Sequence, residues 1–415
     1  MAAKGDMLWA WAKDETMLQN GECGGAVTSL LKFALESGMV DAVLAVKKGV
    51  DLYDAQPVLI TKPEDIAQCG GSLHCGTLLM PKLIKKYFDG ASKMKIAVTM
   101  KGCDAKALYE LAKRNQVNLD NLITIGLNCG GSVSPIEARI MIQEKFGINP
   151  DDIVKEEIDK GQFIVITKSG EHKGIKIDEL EEEGYGRRLN CQRCKTKVPR
   201  QCDLACGNWG VIGDKAGKAT FIEVCSNKGA DLVTKAAGKA IEIEQPAGPA
   251  LGIRGKVEGA MFKLGDKCRN AQFEKLGDGK KRLDYIMEQT SRCIKCYQCI
   301  ENCPICYCVE CSTKKPHLVD SGVVNPPFMF HLIRYSHVAD SCVNCGQCQE
   351  LCAMDIPNAL FMHALQMEMQ EMFGYEPGVN MELPVLAFVE ESAERKRLSD
   401  TGSDQIFNIF AEEEQ

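Results

Sequence analysis

Two cysteine runs with the same internal spacing constrain this chain more than any other feature. They are Cys293-x2-Cys296-x2-Cys299-x3-Cys303-Pro304 and Cys342-x2-Cys345-x2-Cys348-x3-Cys352. Three thiolates at this spacing wrap one face of a cubane, and the chain carries the fourth cysteine of each run to the other cluster. The spacing therefore predicts one [4Fe–4S] cluster on Cys293, Cys296, Cys299 and Cys352, and a second on Cys342, Cys345, Cys348 and Cys303. Proline follows Cys303 as such runs require, whereas Ala353 follows Cys352. A zinc site does not call for this 2-2-3 pattern. Cys306, Cys308 and Cys311 lie between the runs and, lacking a clear fourth partner, read as free thiols rather than as a further metal site.

Composition agrees with metal or redox use of the thiols. The chain has 22 cysteines in 415 residues, too long a chain for a small disulfide scaffold. Its N-terminus lacks the apolar core of a signal peptide, and no run reaches the roughly 18 apolar residues that span a bilayer, so a cytoplasmic protein is expected. A net charge of -7 gives no general attraction to nucleic acid.

Upstream of the runs, apolar strand-like segments at 40–46, 58–60, 96–99 and 122–127 alternate with helical patterns at 24–37, 78–88, 105–114 and 135–146. The last opens with Ser134-Pro135-Ile136-Glu137, a capping-box pattern. This alternation predicts an α/β domain with a largely parallel sheet over residues 1–285. The segment 185–225 has few periodic features, and 226–285 reads as the end of that region plus a linker. A bacterial-ferredoxin-like α+β module with the two clusters is expected over 286–365. A helix and an acidic, exposed or partner-binding tail follow over 366–415.

A third group, Cys191-x2-Cys194-x7-Cys202-x3-Cys206, is less specific, and four-cysteine zinc sites use similar spacing. Gly102-Cys103-Asp104 and Asn128-Cys129-Gly130-Gly131 each follow a predicted strand, at the carboxyl end where open α/β sheets gather ligands. Gly-rich loops at 20–25, 69–76 and 207–210 offer close backbone approach, the first leading straight into a helix. No G-x-G-x-x-G follows a strand, which disfavours a Rossmann-bound dinucleotide. No Ser/His/Asp triad or paired carboxylate acid and base is evident. The basic run Arg187, Arg188, Arg193, Lys195, Lys197 and Arg200 reads either as attraction for an anionic cofactor or as a solvated, charge-compensating face.

The phrases Gly24-Gly25-Ala26-Val27-Thr28, Gly102-Cys103-Asp104-Ala105, Ile125-Gly126-Leu127-Asn128-Cys129-Gly130 and Cys191-x2-Cys194 with Asp203-Leu-Ala-Cys-Gly-Asn-Trp-Gly resemble the coenzyme F420 hydrogenase/dehydrogenase β-subunit family. The resemblance covers roughly residues 15–365. It implies FAD as a cofactor, the 5-deazaflavin coenzyme F420 as substrate, and a partner α subunit whose metal–pterin centre oxidises formate. A heterodisulfide reductase complex is a further partner it suggests. Carried over by position, the resemblance implies a third cubane on Cys129, Cys191, Cys194 and Cys206. It implies cofactor contacts from Gly24, Gly25, Thr28, Ser72, His74, Gly102, Asp104, Asn128, Gly130, Asn208 and Trp209. Cys202 and Cys23 depart from the family pattern, with alanine and serine being usual there. Two other readings stay open: an electron-wiring subunit without bound flavin, and a free-standing F420-dependent reductase with a further substrate domain.

Overall fold

The computed structural model describes residues 1–159, 161–308, 310–320 and 322–385; the acidic tail expected at the C-terminus lies outside them. Contacts divide the chain into two compact units, one of residues 1–80, 93–102 and 121–266, the other of residues 81–92, 103–120 and 267–415.

The first unit contains eleven strands: β1 (Met7–Ala12), β2 (Ala42–Lys48), β3 (Ala55–Ile60), β4 (Ile96–Met100), β5 (Leu122–Leu127), β6 (Ile153–Asp159), β7 (Gln162–Thr167), β8 (His172–Lys176), β9 (Leu204–Gly207), β10 (Thr220–Val224) and β11 (Ile241–Glu244). Eight form one sheet in the order β11-β1-β10-β9-β5-β4-β2-β3. Only β2, β4, β5 and β9 pair in parallel. The remaining pairs are antiparallel, so the sheet is mixed, a correction to the largely parallel one expected. Its parallel centre is the part legible as continuous apolar runs, because strands covered on both faces have no polar side to show. β4 and β5 are buried over nearly their whole length. β9 and β10 fall in the segment that lacks periodicity; each is only four or five residues long.

The helix Ala26–Glu36 packs Ala26, Leu30, Leu31 and Ala34 against the sheet, together with Leu232, Val233 and Ala236 of the helix Asn227–Ala236. Pro135 opens its helix as expected, but the Ser134 side chain makes no capping bond. The stretch expected to be a linker instead holds the 27-residue helix Gly248–Glu274. β6, β7 and β8 form a separate antiparallel sheet, whose Phe163 and Val165 pack on Val133, Met141 and Phe146.

In the second unit no strand occurs among the described residues, so the cysteine-rich region is helical and loop-built there rather than α+β. The reason is local. Each run consists of tight turns followed by a single-turn helix, Gln298–Glu301 or Gln347–Glu350, leaving no extended stretch to pair. Glu110 anchors another part of this unit. It is fully buried and accepts bonds from Lys113 (2.6 Å), Arg114 (2.9 Å), the Tyr375 hydroxyl (2.7 Å) and the Gly378 amide (2.6 Å). Glu110→Ala would strand two buried cations, and breaking such a group costs about 3–5 kcal/mol. Chemical denaturation of the anaerobic protein should show that loss; a change under about 1 kcal/mol would show that the cations are solvated instead.

Candidate redox site

The two cysteine runs fold alike. Cys293 and Cys342 are each followed two residues on by a non-glycine in the left-handed region, Lys295 at φ 56° and Asn344 at φ 54°. Tyr297 at φ 62° and Gly346 at φ 78° then cap the short helices. Left-handed non-glycine residues cost of order 1–2 kcal/mol, and such strain persists only where the surroundings fix it. The result is two cavities walled by sulfur. One gathers Cys342, Cys345, Cys348 and Cys303. The other gathers Cys293, Cys296, Cys299 and Cys352. Each cavity thus combines three cysteines of one run with the last cysteine of the other. Backbone amides point at the sulfurs: Lys295 N–H to Cys293 Sγ at 3.3 Å and Ile356 N–H to Cys352 Sγ at 3.4 Å. A donor set of four thiols per cavity suits a cubane. The Cys306 thiol lies within hydrogen-bonding reach of Cys303, while Cys308 is exposed.

The first unit brings the thiols of Cys191 and Cys194 into electrostatic reach of Cys129. Burial raises the Cys129 thiol. Burial acts the same way on Cys191, but Arg188, hydrogen bonds from Ser132 and the Lys197 ammonium outweigh it and hold that thiol below its usual range. Cys206 is not with them. On β9 its side chain belongs to the apolar core with Leu204, Ile222 and Val224, and burial pushes its thiol up, with Cys225 as the nearest thiol influence. Strand alternation explains this, since successive β9 side chains face opposite ways. Cys202 is buried, and its amide bonds Pro199 O.

Half of the basic run is buried, while Lys195 and Arg200 are exposed. Lys197 and Arg193 are each 1% exposed and Arg187 5%. Arg187 pairs with Glu181 and also donates to Gly130 O at 3.1 Å, as Lys197 does. Arg200 pairs with Glu223 and Glu258, and Lys195 with Asp266. Arg187 and Lys197 thus fix the Gly130 carbonyl, and Lys197 also bonds Cys191 O at 3.0 Å.

Three of the glycine-rich loops meet. A side chain on Gly70 would touch Asn20, and Val133 N–H bonds His74 O. Glu156 of β6 accepts from the His74 and Cys75 amides at 2.7 and 3.0 Å and from Cys75 Sγ at 2.7 Å, tying β6 to the 69–76 loop. At this meeting point His74 Nε2 and Glu22 Oε2 are buried without a hydrogen-bond partner among the described residues. Burial raises the Glu22 carboxyl, with His74 and Lys155 opposing. Buried polar atoms seldom go unpaired, so this pair fits a bound polar group. Sequence reasoning missed Glu22 and Glu156, which carry no spacing signal.

The other expected contact residues are placed as follows. Gly24 (φ +75°) and Gly25 (φ +67°) are required by the fold itself, because a Cβ would lie 2.3 Å from Lys218 O and 2.0 Å from Met17 O. A Cβ on Gly102 would lie 2.1 Å from Thr196 O. Gly130 alone of these four has open space where a Cβ would stand. Thr28 is buried and Ser72 exposed. Asn128 abuts Gly207. Asn208 is exposed, and the Trp209 carbonyl accepts from Arg254 at 3.0 Å. Asp104 is fully buried in the first turn of its helix. No helix among the described residues is long and apolar enough to cross a membrane.

The family described as "Coenzyme F420 hydrogenase/dehydrogenase, beta subunit" matches in two parts, its N-terminal part at residues 7–85 and its C-terminal part at residues 93–248. The F420-dependent formate dehydrogenase subunit beta of Methanocaldococcus jannaschii is 48% identical over 91% of this chain and 98% of its own length. The F420-dependent formate dehydrogenase 1 subunit beta of Methanococcus maripaludis is 48% identical over 91% and 97%. The coenzyme F420 hydrogenase subunit beta of Methanococcus voltae is 25% identical over 54% and 79%. A chain of the F420-reducing [NiFe] hydrogenase complex from Methanosarcina barkeri superposes with a TM-score of 0.56 at 20% identity, covering 65% of this chain and 92% of that one, and so shares the fold. On both family matches and on end-to-end identity, the chain belongs to the coenzyme F420 hydrogenase/dehydrogenase β-subunit family.

Proposed function

We propose that the chain is the β subunit of an F420-dependent formate dehydrogenase, an oxidoreductase subunit that passes electrons released from formate in a catalytic partner subunit to coenzyme F420. The observation that carries this reading is the extent of the match. Formate dehydrogenase β subunits align over 91% of the chain, whereas the hydrogenase β subunit of M. voltae aligns over 54%. The two sulfur-walled cavities lie beyond residue 248, where the family match ends.

When bound, iron–sulfur clusters carry single electrons and FAD interconverts one- and two-electron chemistry, which a hydride-accepting deazaflavin requires. Cys293, Cys296, Cys299 and Cys352 would hold one [4Fe–4S] cluster, and Cys342, Cys345, Cys348 and Cys303 a second. Cys129, Cys191 and Cys194 would supply three ligands of a third. Cys206, buried in the sheet core, is poorly placed to be its fourth ligand. Arg188 and Lys197 offset thiolate charge at that site. The loops carrying Asn20, His74 and Gly130 would hold FAD, with Arg187 and Lys197 fixing the Gly130 carbonyl. Glu22 and His74 would meet its polar edge. A metal–pterin centre would reside in the partner subunit, and association with a heterodisulfide reductase complex is the wider assembly this reading allows.

Anaerobically purified protein should contain about twelve iron atoms and one FAD. Reduced coenzyme F420, added to it alone, should bleach the flavin and then produce the EPR signal of reduced clusters. Iron without flavin, and no response to reduced coenzyme F420, would replace this reading with that of a wiring subunit.

A further inference from the structure

The helix Phe328–Ser336 carries a cation that no carboxylate matches. Arg334 is 6% exposed and lines the cavity of Cys303, Cys342, Cys345 and Cys348. Its Nη2 donates at 2.9 Å to the carbonyl of Cys299, a residue that lines the other cavity. Its Nη1 is buried and makes no hydrogen bond. Among the described residues no acidic side chain pairs with it. Its guanidinium therefore lines one sulfur-walled cavity and is bonded to a residue of the other.

A guanidinium does not give up its proton in a protein, and a buried cation without a partner costs several kcal/mol. The charge must be answered by something anionic, and a cluster on four thiolates is net negative. Net charge and hydrogen bonds to the sulfurs are among the terms that set a cluster's reduction potential. We infer that Arg334 is a positioning residue shared by the two cluster sites, whose fixed charge and unpaired Nη1 stabilise the added electron at either one. The step is uptake of one electron by a site, supplied by formate oxidised in the partner subunit, with no bond made and no proton moved at the site. This inference rests on the reading that both cavities hold [4Fe–4S] clusters.

The test is an EPR-monitored redox titration of the full chain, purified anaerobically, beside R334Q and R334K, with iron counted in each. R334Q should keep its iron and lower both midpoints. An opposite charge at close range shifts a charging equilibrium by about tenfold or more, and tenfold is about 59 mV for one electron. R334K, which retains the charge, should stay within about twofold of the wild type, roughly 18 mV on that scale. Wild-type midpoints in an iron-replete R334Q would overturn the inference, as would a shift at one cluster only. If R334Q loses iron, R334K decides: midpoints near the wild type uphold the role of charge, and a tenfold displacement overturns it. Wild-type protein without cluster iron would instead refute the cluster reading beneath it.

Discussion

Cys352→Ala is expected to cost the protein the cluster held by Cys293, Cys296 and Cys299, while the run in which Cys352 itself lies keeps its own. The reason is the lining of the cavities: Cys352 faces the first run, and Cys303 faces the second. Iron should fall by about four atoms. The EPR signal lost should match the one lost in Cys296→Ala and differ from the one lost in Cys345→Ala. Loss of the Cys345-dependent signal would contradict the crossed arrangement. Cys352 is a cleaner choice than Cys303, because the Cys306 thiol already touches Cys303 and could stand in as ligand.

A second large effect is expected at Gly130. It has no left-handed backbone and nothing within 4 Å of where a Cβ would lie, so Gly130→Val adds its bulk into the open loop without disturbing packing. Bound FAD should fall at least tenfold, roughly 1.4 kcal/mol, with iron unchanged. Reduction of coenzyme F420 should be lost in proportion, while a low-potential dye still reduces the clusters. Full flavin content in this variant would move the cofactor away from the 128–131 loop. Gly24→Val is no substitute: its left-handed φ and the backbone 2.3 Å from its would-be Cβ make it a folding mutation.

What could be read in the sequence, and what could not, follows the range of each interaction. Ligand spacing within a cysteine run is local, and Cys293 to Cys303 or Cys342 to Cys352 state it in eleven residues. The strands β4 and β5 are equally legible, each being apolar but for one threonine. The antiparallel half of the sheet was not, because β1 reaches β10 and β11 from the far end of the unit and no local pattern records that pairing. The facing of Cys206 depends on which side of β9 meets the core, and a one-residue change of register would reverse it. Charge misled as well. Arg187, Arg193 and Lys197 look like surface residues in sequence, yet all three are buried, and Lys197 lies beside the Cys191 thiol that only the fold positions. At Gly24 and Gly25, glycine is called for by the chain's own backbone rather than by a ligand.

Electron passage from formate to coenzyme F420 can be followed in this chain together with its catalytic partner subunit. The two are co-purified without oxygen and given formate and oxidised coenzyme F420. The deazaflavin absorbance should disappear at a rate set by formate. Gly130→Val should stop this loss while formate still reduces a viologen dye. Formate-driven dye reduction without any loss of the deazaflavin absorbance in the wild-type complex would show that electrons do not reach coenzyme F420 through this subunit.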